Sequence, residues 1–222
     1  MVQYDLGKWD LKELVKKPTR VAIDKKLVKL ESSAKRFEKT KKSLNSNISS
    51  TKFLKILRDI EIISEKSSII HGYASLRYSE NTQSDEATSL LTRISKFGSD
   101  IENRLLFFDL WWKKQVDEKN ARRLIKSTGQ YSEYLKHKKL LAKYSLSEPE
   151  EKIINTLDVT GVSALVKLYD KITNAFVYTV TINSKKKTMN REQLTSLVRN
   201  KSAKIRESAY KSLFSKYNDN KG

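Results

Sequence analysis

Cysteine is absent from these 222 residues, which excludes disulfides and thiolate metal sites. Histidine is nearly absent too. His71 and His137 stand 66 positions apart, with none of the short spacings that place two imidazoles on one metal. Six glycines and two prolines leave few breaks in regular structure, and neither a P-loop nor a G-x-G-x-x-G phosphate cradle occurs. No apolar run approaches the roughly 18 residues that a membrane span needs. The opening MVQYDLGKWDL lacks a basic start followed by an apolar block, so no signal peptide is expected. These absences predict a soluble, cytoplasmic, largely helical chain.

Positive charge is what the chain has in excess. Lys and Arg total 45 against 26 Asp and Glu, a net charge of +19. The excess is uneven: +7 over residues 1–50, −1 over 51–118, +7 over 119–146 and +6 over 147–222. Such a surface attracts polyanions weakly at low salt, and it equally fits helices that are merely solvated by lysine. Arg122, Arg123, Lys126, Lys136, Lys138 and Lys139 form the candidate basic face, with Tyr131 and Tyr134 interleaved.

Apolar spacing divides the chain. Residues 1–20 read as an arm anchored by Trp9, Leu11, Leu14 and Val15 and ended at Pro18. Residues 21–145 read as a bundle of long helices. Ile23, Leu27, Leu30, Ala34, Phe37, Leu44 and Ile48 step by threes and fours, with Lys41 interrupting. Phe53, Ile56, Ile60, Ile63, Ile70 and Ala74 repeat the pattern, as do Ala87, Leu90, Ile94, Phe97, Ile101, Leu105, Phe108 and Trp112. Short polar connections make neighbouring helices antiparallel. The fold class is therefore mainly α: an antiparallel bundle of long helices, then a smaller helical part with one β-hairpin at about 176–189.

The stretch from Leu105 to Trp112, LLFFDLWW, is apolar on most faces, so most faces must be covered. Leu105, Phe107, Phe108, Trp111 and Trp112 are accordingly either interior or a contact patch for something outside the chain. Beyond it, Ser147 and Glu150 fit a capping box with Pro149 in the first turn. Gly161 separates two helices. FVYTVTINSKKKTM alternates as a hairpin turning at Asn183-Ser184, and Asn190 with Gln193 starts another helix.

The order of these phrases resembles the oligoendopeptidase F branch of the thimet-like zinc metallopeptidases. Leu146-Ser147 with Glu150-Glu151 comes first, then Thr160-Gly161, then Leu168-Tyr169-Asp170. The hairpin leads to Asn190-Arg191-Glu192-Gln193-Leu194 and finally to Ile205-Arg206-Glu207-Ser208-Ala209-Tyr210. Upstream, Tyr73-Ala74-Ser75-Leu76 and the N-terminal W-D-L-x-x-L phrase add to the likeness. The resemblance touches nearly the whole chain and is most distinctive over residues 146–222, which read as its N-terminal-type helical subdomain.

That family implies a zinc endopeptidase acting on short peptides, with zinc held by H-E-x-x-H and a later Glu in the C-terminal half. No H-E-x-x-H occurs here, so no catalytic, cofactor or metal residue carries over. A serine–lysine pair, Ser32 and Lys35, has no helper and lies in an amphipathic helix. The expectation is a non-catalytic N-terminal region, inactive alone, that forms a wall of a peptide channel. Its partners would be peptides and a catalytic half on the same or a separate chain, with zinc belonging to that half. The alternative is a stand-alone helical module that binds a partner protein or a polyanion.

Overall fold

The computed structural model describes residues 9–182 and 184–220. The chain divides into two compact units, residues 1–164 and 165–222. In the first unit, three long helices form the body: α1 (Arg20–Glu38), α2 (Ser50–Glu80) and α3 (Asp85–Leu110). Each begins at a hydroxyl cap. Thr19, Ser49 and Ser84 accept from the backbone N–H groups of Ala22, Lys52 and Ala87. The interruption at Lys41 is real: α1 gives way to a 3₁₀ turn over Lys39–Ser43. Ile48, placed by its spacing on the same seam, is buried after that turn.

Pairings fix the helix directions. Arg93 of α3 pairs with Asp24 of α1, and Arg104 further along reaches Glu31 and Glu38 at 3.7 Å each. α1 and α3 therefore run the same way. Phe53 near the start of α2 stacks on Phe108 near the end of α3, so α2 runs against both. Their seams bury Leu30, Ala34, Phe37, Phe53, Ile56, Ile63, Ile94 and Ile101 in one continuous core. Of the N-terminal anchors, Val15 is buried, and Leu11 and Leu14 pack against the core. Trp9 is instead 53% exposed, on the rim of a cleft with Leu90 and Arg93.

After α3 the backbone widens into a π turn, Trp111–Gln115. Then come α4 (Glu118–Ser127), α5 (Ser132–Leu140) and α6 (Glu148–Thr160), the last packed on α3. Gly129 breaks the chain between α4 and α5 with φ +54°, a left-handed conformation that glycine adopts without cost. The capping box of Ser147 and Glu150 forms as its spacing implies, with Pro149 in the first turn. α7 (Val162–Asn174) follows immediately, separated only by Gly161.

The second unit, taken from Leu165, contains most of α7, a hairpin of β1 (Tyr178–Ile182) and β2 (Lys185–Met189), α8 (Arg191–Ser196) and α9 (Ala203–Asp219). The strands pair antiparallel, Tyr178 opposite Met189 and Ile182 opposite Lys185. Ser184 in the connection has φ +66°, and Asn183 lies outside the described residues. Alternation turns Tyr178 and Val180 inward onto Phe176, Leu194 and Ala209. The Asn190–Gln193 capping box opens α8, and Ser202 precedes α9. Among the described residues the fold is mainly α, with one two-stranded sheet.

Candidate functional site

The apolar stretch at the end of α3 lies in the interior of the first unit. Phe107, Phe108, Trp111 and Trp112 are buried, and Leu105 packs against the same cluster. Phe53 of α2 is the hub, with ring centroids 6.1 Å from Phe108, 6.1 Å from Trp111 and 5.3 Å from Trp112. Phe37 of α1 meets Phe107 at 5.4 Å. Both indoles enter one core where α3 widens into the π turn, as the adjacent Phe107 and Phe108 do from the regular helix before it.

Asp109, the polar member of that stretch, accepts from Lys113 at 2.5 Å and Lys138 at 2.6 Å. Burial works to lower the Lys138 ammonium, but the hydrogen bond and charge of Asp109 outweigh it, and the pKa rises. Lys139 sits against the indole of Trp112, 5.6 Å from a ring centroid, and donates to the carbonyls of Lys113 and Val116 at the end of the π turn. Burial lowers its pKa. Arg123 donates to the carbonyls of Ser46 and Ile48 at 3.2 and 3.0 Å. Arg122 pairs loosely with Glu118 at 3.8 Å and Lys136 with Glu133 at 2.6 Å, both in solvent. Lys126 is exposed. The six basic residues thus do not make one uniform face: Arg123, Lys138 and Lys139 tie helix ends together, while the other three face water.

A feature that sequence spacing did not indicate is a cleft of about 530 Å³ between α2, α3 and α6. Gly72 and Gly98 line it, and a side chain at either position would meet open space. Ser99 donates to the Asn155 carbonyl at 3.0 Å, and the Asn155 amide donates to Asn103 at 2.9 Å, holding α6 on α3. Glu102 stands at the mouth, reached by solvent. Burial by the walls raises its carboxyl above the usual range; His71 opposes this and Asp158 adds to it. Asp158 itself accepts from Ser163 at 3.1 Å. Glu102, Asn155, Ser67 and Ser68 also line a second cleft of about 310 Å³, which reaches Tyr134 and Lys138. Only residues 71, 102 and 158 taken together mark the larger cleft, and no sequence pattern joins such distant positions.

Zinc does not fit these residues. His71 and His137 are both exposed and are not brought together, and no group of three or more His, Asp or Glu among the described residues could hold a metal ion. No described helix is long and apolar enough to cross a membrane.

Three comparisons bear on this architecture. The family model described as Oligopeptidase F matches residues 114–178, from the π turn to the first residue of β1. No curated protein matches the chain. Among solved structures, the oligoendopeptidase-F from Enterococcus faecium is 20% identical, with a TM-score of 0.70 over 88% of this chain and 38% of that one. A putative peptidase from Chlamydophila abortus is 15% identical, with a TM-score of 0.51 over 95% of this chain and 36% of that one. The chain therefore spans well under half the length of either, and at these identities the likeness is one of fold.

Proposed function

We propose that this oligoendopeptidase F-like N-terminal region forms a wall of a peptide-binding channel whose metal centre belongs to a separate, catalytic part of the enzyme. The single observation that carries the reading is the fold, shared over 88% of the chain with an oligoendopeptidase-F and supported in sequence over residues 114–178. On this reading the chain confines and orients short peptides and limits their size, and does not itself cleave them. Exposed apolar residues support a missing neighbour. In the first unit, Ile153 and Leu157 of α6 face solvent. In the second, Leu165, Leu168 and Tyr169 of α7 do so, as do Tyr210 and Phe214 of α9, whose rings pair at 4.5 Å. Apolar surface of this kind marks sites of protein contact.

The test has two arms. The purified chain is incubated with a quenched fluorescent peptide and zinc, and no hydrolysis is expected; chelator-sensitive hydrolysis overturns the non-catalytic assignment. The chain is then mixed with the catalytic portion of an oligoendopeptidase F, and co-elution with a gain in peptide cleavage is expected. Neither effect would leave the second reading, a stand-alone module whose exposed α7 and α9 residues dock an unrelated protein. A polyanion partner draws less support, because Arg123, Lys138 and Lys139 are engaged within the first unit.

A further inference from the structure

The cleft between α2, α3 and α6 is chemically unlike the rest of the surface. In a chain with 45 Lys and Arg residues, none lines it. Its ionisable groups are Glu102, Asp158 and His71. Glu102 makes no hydrogen bond or ion pair among the described residues, whereas Asp24, Glu31 and Asp109 of the same unit are each paired. An unpaired carboxylate at the mouth of a cleft that no lysine or arginine lines makes that cleft locally negative on a positive chain.

We propose that this cleft binds the free amino end of a short peptide, with Glu102 as the countercharge of the ammonium group. The inference rests on the peptide-channel reading above and names a recognition element within it. Asp158 adds a second negative charge on the facing helix, and the Ser95 hydroxyl lies along the same walls to meet a peptide N–H or C=O group. Ile94, Phe97 and Ile154 give the first side chain an apolar seat. An organic ammonium fits better than a metal ion. The carboxylates come from helices that do not bring three ligands within coordination reach, whereas an ammonium hydrogen-bonds at ordinary distances to one or two oxygens.

The experiment uses an uncharged pentapeptide with a dye at its C-terminal end, titrated with the 222-residue chain at roughly physiological salt and followed by anisotropy. The free-amine peptide should bind at least about tenfold more tightly than its N-acetylated form, a gap of about 1.4 kcal/mol. Glu102→Gln should reduce that preference to less than about twofold, and Asp158→Asn should reduce it partially. Glu133→Gln, a control on exposed α5, should leave it intact. Unchanged circular dichroism and melting temperature show that the variants are folded. Equal binding of both peptides, no binding of either, or an unchanged preference in Glu102→Gln overturns the proposal. An acetylated peptide with an internal lysine that binds as well as the free amine overturns the assignment to the amino end. The channel reading is judged separately, by reconstituted cleavage. If cleavage is restored while acetylation of the substrate and Glu102→Gln leave KM unchanged, the amine site falls and the wall stands.

Discussion

The indole N–H of Trp112 donates to the backbone carbonyl of Leu135 at 3.0 Å, and both residues are essentially sealed from water. This one bond locks α5 to the π turn at the end of α3. The Leu135 carbonyl lies inside α5, so the indole adds a second bond to an oxygen that already serves the helix. Trp112→Phe should cost about 0.5–1.5 kcal/mol through the lost hydrogen bond. Trp112→Ala should cost about 3–5 kcal/mol, because a large cavity opens beside Phe53. All three tryptophans lie in the first unit, so urea unfolding followed by the fluorescence of Trp111 and Trp9 reads its stability directly.

Asp109 holds two lysines in a region where its own side chain is only 21% exposed. Asp109→Asn removes the charge and keeps the shape, leaving Lys113 and Lys138 close together and uncompensated. Removing one partner of a well-buried pair costs about 3–5 kcal/mol. Partial exposure here places the expected loss nearer about 2 kcal/mol. A double variant in which Lys138 is also changed to Met should recover part of that loss. A denaturation midpoint in the Asp109→Asn chain equal to that of the parent would show that solvent already screens the cluster.

In the second unit three phenols converge. Tyr169 and Tyr217 approach with hydroxyls 3.5 Å apart, and the buried Tyr178 hydroxyl makes no hydrogen bond of ordinary geometry. The Tyr217 phenol is pushed up to about 12, first by its hydrogen bond with Tyr169 and then by burial, against the opposing charge of Arg191. A pKa raised in the folded state means that the native form holds its proton longer. The stabilisation is complete below about 10, the ordinary tyrosine value, and is lost as pH rises toward 12. Melting temperature should fall across that window, and Tyr217→Phe should flatten the fall. Carbon-13 labelling of tyrosine would read the titration itself, and a Tyr217 midpoint near 10 would sink the prediction.

Tyr178→Phe tests the orphaned hydroxyl. Removing a buried polar group that has no partner should leave the second unit as stable as before or more so, by up to about 1–3 kcal/mol. Hydrogen exchange of the β1 and β2 amides would measure it. Faster exchange in the variant would mean that the hydroxyl has a partner in solution.

Gly161 separates α6 from α7, and a Cβ there would lie 2.8 Å from the Leu157 carbonyl oxygen. Gly161→Ala must therefore shift backbone, and a cost of about 1–3 kcal/mol is expected from the thermal melt. A variant as stable as the parent would show that the two helices accommodate the methyl group freely.

Local signals were legible. The capping boxes at Ser147 and Asn190 and the alternation through Tyr178 and Val180 depend on neighbours within a few positions, and each forms where its spacing implies. The heptad-like seams were also legible, since Ile23, Leu27, Leu30, Ala34 and Phe37 are all buried. Other features depended on partners far along the chain. The sequence left open whether Phe107 and Trp111 face inward, because their cover comes from Phe37 and Phe53. Lys138 and Lys139 read as surface charge because Asp109 and the carbonyl of Val116 lie more than twenty residues away. Glu102 resembled any other solvated carboxylate until α2 and α6 placed it at the mouth of a cleft.

The outer strand of the hairpin has a consequence of its own. Lys185, Lys186 and Lys187 occupy three consecutive exposed positions on β2, a strand whose outer hydrogen-bonding rim meets no third strand among the described residues. A second polypeptide adding there would have to stack its backbone against three ammonium groups. Identical chains would place lysine near lysine and repel. The open rim is therefore guarded against edge-to-edge aggregation, and it remains available only to a strand that brings acidic residues to meet it.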